Sequence, residues 1–359
     1  MSKIPVYKPT ITSLEKEYVN ECLESGWISS KGRFVAEFES KFAQFTGIKH
    51  AVSVCNGTTA LHIALLSLGV GPGDEVILPT LTYIASANAI TYTGAKPVFV
   101  DCDRHTWQID PSDIARAITA KTRAIMAVHL YGQACDMSAI REIADRKNLL
   151  IIEDCAEAIG TKIGTKHVGG FGDVATFSFY GNKTISTGEG GMVVTNDTTL
   201  AERASHLKGQ GLAKFREYWH DVIGYNYRMT NICAAIGCAQ LERVEVTLGN
   251  KMRIAKWYQK MLAGNFTLQG ESEYSTHSHW MFSILVNDSR DRDLIREKLA
   301  NRGVETRPVF YPIHSMPMYA NTYRRMPVSD DVSSRGINLP SYDTLEESDI
   351  EYISAILLE

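Results

Sequence analysis

The stretch HAVSVCNGTTALHIALLSLGVGPGDEVILP, residues 50–79, carries one complete fold unit. HAVSVC is a short β-branched run, TTALHIALLSLGV has helical length and pattern, and EVILP is a second strand-like run. A strand, a helix and a further strand in that order favour parallel strands with the helix lying on one face of the sheet. The alternation continues outward through YIASANAITYTG, KPVFVD, RAIMAVHL, DMSAIREIADRKN and LLIIEDC. VATFSFY and GMVVTN then add two strands, so an α/β class is expected, with a large, mainly parallel mixed sheet covered by helices on both faces.

TNICAAIGCAQLERVEVTLGNKMRIAKWYQKML, from Thr230 to Leu262, reads as one helical stretch leading out of that domain. Beyond Ser272 the pattern becomes strand WMFSILV, helix DRDLIREKLANRG, strand VETRPVF, a proline-rich loop YPIHSMPMY and an amphipathic helix EESDIEYISAILLE. This order predicts a small C-terminal α+β domain over 251–359, after a large domain with its N-terminal segment over 1–250.

Of the 359 residues, 44% are apolar and 22% charged, the balance of a globular protein able to build a sizeable core. A net charge of -4 without long single-sign runs argues against a nucleic-acid surface or binding to anionic membranes. The N-terminus lacks a signal-peptide apolar region and no apolar run reaches the ~18 residues of a membrane helix, so a cytoplasmic location is expected. Seven cysteines lie singly at 22, 55, 102, 135, 155, 233 and 238, a pattern of buried small hydrophobes. His277 and His279 form an HxH pair with no partner at metal-ligand spacing, and no metal is expected.

Four motifs bear on chemistry. GVGPGD (69–74) follows a helix and precedes a strand, the reverse of a nucleotide-binding glycine loop, and reads as a turn. SVCNGTTALHIAL (53–65) has the opposite order: Gly57 allows a tight turn, and the amides of Thr58 and Thr59 open a helix that can seat an anion or simply be N-capped. LLIIEDCAEA (149–158) ends a buried-type strand in Glu153-Asp154 at its carboxyl edge, where ligands bind in open α/β sheets. A carboxylate there calls for a cationic partner, although helix capping is equally open. FSFYGNKTISTGEGGM (177–192) sets Lys183 among Phe177, Phe179 and Tyr180 as apolar walls and Ser178 as a hydroxyl, with Gly188, Gly190 and Gly191 giving clearance for a ligand. A solvated loop lysine is the ordinary alternative, but a desolvated one forms Schiff bases.

A phosphate seat, a strand-end carboxylate and a desolvated lysine are together the fixtures of pyridoxal 5′-phosphate. Tyr83, closing PTLTY after a strand, is placed to stack on the ring.

On these residues, the chain resembles the DegT/DnrJ/EryC1/StrS family of sugar aminotransferases over essentially its whole length. The likeness runs through SGWISSKG, NGTTALH, GDEVILPTLTYIASANAI, HLYGQ, IEDCAEAIG, TFSFYGNK with TGEGGM, GYNYRMTNICAAIG and RPVFYPIH. The resemblance implies the type I, aspartate aminotransferase-like fold of PLP-dependent transferases. It makes Lys183 the Schiff-base lysine and Asp154 the pyridinium carboxylate. Gly57, Thr58 and Ser178 would hold the phosphate. Glu157 stands where the family has a polar residue, often Gln or His, beside the ring, and is a departure. Asn226 would reach the cofactor phosphate of a neighbouring subunit, which implies a homodimer with shared sites.

GWISSKG, PTLTYIASAN, AVHLYGQACDM, FSFYGNKTISTGEGGM and YWHDVIGYNYRMTN resemble members that act on a GDP-linked 4-keto-6-deoxy sugar; UDP- and dTDP-linked substrates stay open. The implied reaction carries an amino group from L-glutamate to C4 of the sugar, with pyridoxamine phosphate as the intermediate cofactor form. Loops with donors for a nucleotide sugar are WISSKGR with Ser29 and Lys31, KFREYWHD with Trp219, and RPVFYPIH with Arg307 and His314. A ketosugar dehydratase of the same family would carry histidine at position 183. A catalytically silent regulator is disfavoured by intact Lys183 and Asp154, and a nicotinamide oxidoreductase by the lack of a placed glycine fingerprint.

Overall fold

The computed structural model describes residues 3–320 and 324–359. Residues 1–2 of the expected large domain and 321–323 of the expected small one lie outside the described residues. Two helices come first, α1 (Ser13–Ser25) and α2 (Arg33–Thr46). Thr12 and Glu15 start α1 with a reciprocal capping box. There follow β1 (His50–Val54), α3 (Gly57–Ser67), β2 (Glu75–Pro79), α4 (Ala85–Tyr92), β3 (Lys96–Val100), α5 (Pro111–Ala117), β4 (Thr122–Val128), α6 (Met137–Lys147) and β5 (Leu150–Asp154). After the short β6 (Lys162–Ile163) and β7 (Lys166–His167) come β8 (Val174–Ser178), β9 (Gly191–Thr195), α7 (Thr198–Lys208), α8 (Asn231–Glu242) and α9 (Val244–Leu262).

Seven strands form one sheet in the order β1-β9-β8-β5-β4-β2-β3. Only β9 runs antiparallel to its neighbours, so the mixed, mainly parallel sheet expected from residues 50–195 is present. The strands are buried on both faces: α3 packs on one with Val54, Leu78, Met126 and Ile152, while α6 packs on the other with Ile77, Ile125 and Ile151. GVGPGD is the turn from α3 to β2, where Asp74 Oδ2 accepts from the Gly71 amide at 3.0 Å.

The remaining elements are β10 (Thr267–Leu268), β11 (Ser275–Thr276), β12 (Phe282–Leu285), α10 (Asp291–Asn301), β13 (Arg307–Pro308), α11 (Pro327–Arg335), β14 (Gly336–Leu339) and α12 (Glu347–Leu358). They build a four-stranded antiparallel sheet, β10-β12-β14-β13, around its own core of Ile284, Ile337, Leu299, Ile350 and Ile353. β11 instead pairs with β6 in a separate three-stranded sheet, β11-β6-β7, formed with the connection between β5 and β8.

Local expectations are modified in three places. The helical stretch 230–262 is two helices, because Arg243 leaves helical geometry at φ -113, ψ 7. VETRPVF contributes only Arg307–Pro308 to a strand, since proline has no amide to extend the ladder. The 250/251 division falls inside α9, whose Val244 and Leu248 enter the core beside the large sheet while Ile254, Tyr258 and Leu262 enter the small one. The N-terminal segment also reaches the small sheet's side, where Ile4 N donates to Gly303 O at 2.9 Å.

All seven cysteines are free; five are buried and Cys55 and Cys233 half-buried. His277 is buried and His279 half-buried, and the two rings stack face to face with centres 3.9 Å apart, His279 Nε2 lying 3.5 Å from Glu271.

Candidate active site

A cavity of about 410 Å³ opens at the carboxyl ends of the parallel strands. Asn56 follows β1, Thr82 follows β2, Val128 ends β4, Asp154 ends β5 and Ser178 ends β8, and all line it. Gly57, Thr58, Tyr83, Asp154, Glu157, Ser178 and Lys183 therefore share one wall-to-wall space, although they come from separate parts of the chain.

At one side lies the start of α3. Asn56 caps it, its Oδ1 accepting from Thr59 N at 2.9 Å while Thr59 bonds back in a capping box. The amides of Gly57 and Thr58, in the first turn, have no intrahelical acceptor and stand at the positive end of the helix dipole. Capping through Thr59 N leaves those two amides unused by the cap, so the two readings of this turn do not exclude one another. A Cβ at Gly57 would lie 2.8 Å from Ser178 Cβ, so only glycine lets the turn press against β8.

Asp154 is 4% exposed; Oδ2 accepts from Ser86 Oγ at 2.8 Å and Oδ1 from Ala156 N at 3.1 Å. Burial pushes its pKa up, against the pull of those two donors and of Lys183. The cationic partner expected for it is not a side chain in ion-pair contact among the described residues.

Lys183 sits in the turn after β8, its amide bonded to Tyr180 O at 2.9 Å and its carbonyl accepting from the Tyr7 hydroxyl. Its side chain is only 12% exposed. Nζ lies 3.5 Å from Glu157 Oε1 and 3.8 Å from the centre of the Trp280 ring. Trp280 is fixed in turn by its indole N–H, which donates to Asn182 O at 2.7 Å. Burial raises the Glu157 pKa, with Lys183 and the Tyr131 amide opposing. Tyr83 stands at the rim, 57% exposed, with its ring 5.7 Å from that of Phe310.

Two features differ from expectation. Phe177 and Phe179 do not wall the cavity: strand alternation turns Ser178 and Tyr180 toward it and sends both phenylalanines into a cluster with Phe38 and Phe42. Gly190 and Gly191 give clearance to the protein itself, since a Cβ at 191 would meet Asn56 O at 2.3 Å and one at 190 Thr187 Oγ1 at 2.3 Å. Of the glycines after the lysine, Gly191 makes room for the helix-start turn, Gly190 for Thr187, and Gly188 has nothing within 4 Å of a Cβ but holds a positive φ of 79°.

Several proposed residues do not reach the cavity within one chain. Asn226 Oδ1 accepts from Arg228 at 3.0 Å. Ser29 and Lys31 are exposed between α1 and α2, and the Ser29 carbonyl accepts from Asn231 N. Trp219 lies under Arg216 in an exposed segment, and Arg307 pairs with Glu305 at 2.6 Å. His314 is 1% exposed, held by Thr80 Oγ1 at 2.8 Å and Asp330 at 3.4 Å. Conversely, Ser86, Asn182, Trp280 and Phe310 line the cavity unanticipated. Ser86 carried a faint signal, a hydroxyl in the first turn of the helix after PTLTY; Trp280, 97 positions from Lys183, carried none.

Among the described residues, His129, Glu153 and Cys155 form one compact trio of metal-ligand types, all buried. Both Glu153 oxygens are already used, by His129 Nε2 at 3.0 Å and by the amides of Gly169, Phe171 and Gly172.

Comparison with known proteins follows the same lines. Residues 9–358 match the model of the DegT/DnrJ/EryC1/StrS aminotransferase family. A GDP-perosamine synthase of Escherichia coli O157:H7 is 58% identical over 353 residues, covering 98% of this chain and 97% of the relative. A GDP-perosamine synthase of Vibrio cholerae is 48% identical over 98% of this chain and 97% of its own length. Among solved structures, the PLP form of Spr1654 from Streptococcus pneumoniae superposes with a TM-score of 0.94 at 29% identity, covering 98% of this chain and 97% of that one.

Proposed function

The chain belongs to the DegT/DnrJ/EryC1/StrS aminotransferase family, and on that premise we propose that it is a PLP-dependent GDP-sugar 4-aminotransferase. It takes the amino group of L-glutamate to C4 of GDP-4-keto-6-deoxy-D-mannose, giving GDP-perosamine and 2-oxoglutarate. The reading is carried by a single conjunction: near-full-length relatives at 48% and 58% identity with that activity in their names, and a lysine and an unpaired buried carboxylate facing one cavity.

The cavity's residues fit the cofactor through what they lack. Asp154 is buried without a contacting cation, the amides of Gly57 and Thr58 are without helical acceptors, and Asn182 Oδ1 is buried without a hydrogen-bond partner. A pyridinium, a phosphate and a polar ring substituent complement such groups. When bound, the cofactor supplies an electron sink conjugated to the carbon that gains or loses a proton.

The protein's own residues do the rest. Asp154 keeps a proton on the ring nitrogen, and Ser86 and the Ala156 amide hold its carboxylate in place. Gly57, Thr58 and Ser178 grip the phosphate, and Tyr83 covers a ring face. Lys183 would anchor the cofactor carbonyl, and its Nζ, when free, would move the proton at the substrate Cα. Glu157 and the Trp280 face keep that amine over the cavity.

The proposal includes a cytoplasmic homodimer serving O-antigen or other surface polysaccharide synthesis. The dimer is supported by the exposed apolar segment with Phe215, Tyr218 and Ile223, 75%, 91% and 87% exposed, which leads to Asn226. In that assembly Asn226 reaches the neighbouring site, and Ser29, Lys31, Trp219 and Arg307 contact the nucleotide sugar from exposed loops. His314 holds Thr80, two residues before the cavity-lining Thr82.

A panel of GDP-, UDP- and dTDP-4-keto-6-deoxyhexoses, each incubated with glutamate and read by mass spectrometry and NMR, tests the assignment. Amination at C4 of the GDP-linked mannose derivative is expected; turnover confined to a UDP or dTDP sugar would overturn it.

A further inference from the structure

Among the described residues, the part of the chain beyond position 250 lends the cavity two side chains, Trp280 and Phe310, and both are aromatic. Every other polar or charged side chain of the lining, from Asn56 to Glu189, comes from the large-sheet part of the chain. Arg307 and His314, the donors expected from the small-sheet side, do not reach the cavity. The one side-chain donor on this wall, the Trp280 indole N–H, is already occupied by Asn182 O at 2.7 Å. The wall therefore offers a ligand apolar surface and no free hydrogen-bonding group.

Both rings are held in place. Trp280 is 3% exposed, its carbonyl accepts from Lys251 Nζ at 3.2 Å and Ser341 Oγ at 3.4 Å, and its ring stacks on Tyr131 with centres 6.1 Å apart at 18°. Phe310 is half-buried; its amide donates to the Tyr131 hydroxyl at 3.0 Å, and the two rings lie 5.3 Å apart. Tyr131 thus backs both rings, and does so at φ 59, a left-handed conformation that a non-glycine residue seldom takes. Such strain persists where the surroundings fix the residue, and it recurs at ligand sites.

The wall also stands beside the reacting carbon. Lys183 Nζ lies 3.8 Å from the centre of the Trp280 ring. To move a proton at C4 of the sugar, that amine has to come within about 3–3.5 Å of it. C6 is two carbon–carbon bonds from C4, about 2.5 Å. C6 therefore falls within the same few ångströms of Nζ as the indole. A methyl group there meets aromatic surface, whereas a hydroxyl there loses water without gaining a partner.

We propose that Trp280 and Phe310 form the platform for the C5–C6 edge of the hexose, and that this wall selects a 6-deoxy sugar over its 6-hydroxy counterpart. The inference rests on the GDP-sugar reading and adds to it the residues that recognise the deoxygenated carbon.

GDP-6-deoxy-D-mannose and GDP-D-mannose differ only at C6, and with a hydroxyl at C4 neither can be transaminated. Their binding to the full-length protein loaded with pyridoxamine phosphate is compared by calorimetry. The wild type should bind the deoxy sugar about ten- to a hundredfold more tightly, the range over which an apolar surface rejects an added hydroxyl. Trp280→Gln, which puts hydrogen-bonding groups into the wall, should bring the two dissociation constants within about threefold of each other. Phe310→Ser should shrink the preference in the same direction, and Trp280→Leu, apolar but not aromatic, should retain most of it. A merely structural role would weaken both sugars alike and leave their ratio unchanged. Equal affinities or a preference for GDP-D-mannose in the wild type, or a wild-type ratio in folded Trp280→Gln, overturns the proposal. If Trp280→Gln does not fold by near-UV circular dichroism, the same fall is required of Phe310→Ser. Binding of neither sugar strikes the GDP-sugar reading and this inference together, whereas binding of both without preference strikes this inference alone.

Discussion

Glu153 and Asp154 are consecutive carboxylates at the end of β5, both buried, and the strand's pleat sends them to opposite sides of the sheet. Behind the sheet, Glu153 accepts from His129 and from three backbone amides of the 169–172 loop. Burial alone would raise its pKa, but His129 and the amides of Gly169 and Gly172 bring it below the ordinary carboxylate value. In front, Asp154 has one hydroxyl and one amide, and burial wins: its pKa is raised. A saturated buried charge closes a structure, whereas an under-satisfied one beside a cavity requires something that is not protein.

The contrast can be broken from either side. Lys183→Ala, which removes both anchor and proton carrier from the open side, should lower turnover by about 10⁴-fold or more in assays with glutamate and GDP-ketosugar. Asp154→Asn should cut turnover by about 10²–10³-fold while changing cofactor affinity far less, as read by equilibrium titration. Its effect on stability should have the opposite sign. The folded-state pKa of Asp154 is raised, so above that value the ionised carboxylate destabilises the cofactor-free fold, and the cost vanishes as pH falls through the ordinary carboxylate value of about 4. Thermal melts of cofactor-free Asp154→Asn at pH 8 should therefore match or exceed wild type, the margin closing toward acid.

On the closed side, Glu153→Ala should cost about 3–5 kcal/mol in urea unfolding, because it strands His129 and three amides, yet leave turnover per folded molecule near wild type. The smallest effect is expected of Ser86→Ala, which loosens Asp154 by one hydrogen bond and should reduce kcat about three- to tenfold.

Only the open side of this contrast is legible in the sequence; nothing in it gives Glu153 its partners behind the sheet. The strand ending in Glu153-Asp154, the Asn56-Gly57 helix start and the lysine after a strand are local patterns whose chemistry depends on a few adjacent residues. The alternation of residues 50–195 likewise dictated the sheet, because crossover helices leave strand directions little choice. What sequence could not supply was contact across distance: Trp280 over Lys183, Tyr7 on its carbonyl and Lys251 behind both come from other elements. Phe177 and Phe179 were misplaced for a simpler reason, since adjacency to Ser178 and Tyr180 in a strand means the opposite face. Gly191 was assigned to a ligand when its neighbour is the Asn56 carbonyl, a contact only strand register reveals.

The most direct test of the open side is chemical capture. Borohydride reduction of the protein loaded with PLP, followed by peptide mapping, should place one pyridoxyl group per chain on Lys183, and glutamate added before the reductant should abolish it. A pyridoxyl group on another lysine, or labelling of Lys183 that glutamate leaves unchanged, would contradict the assignment of this cavity.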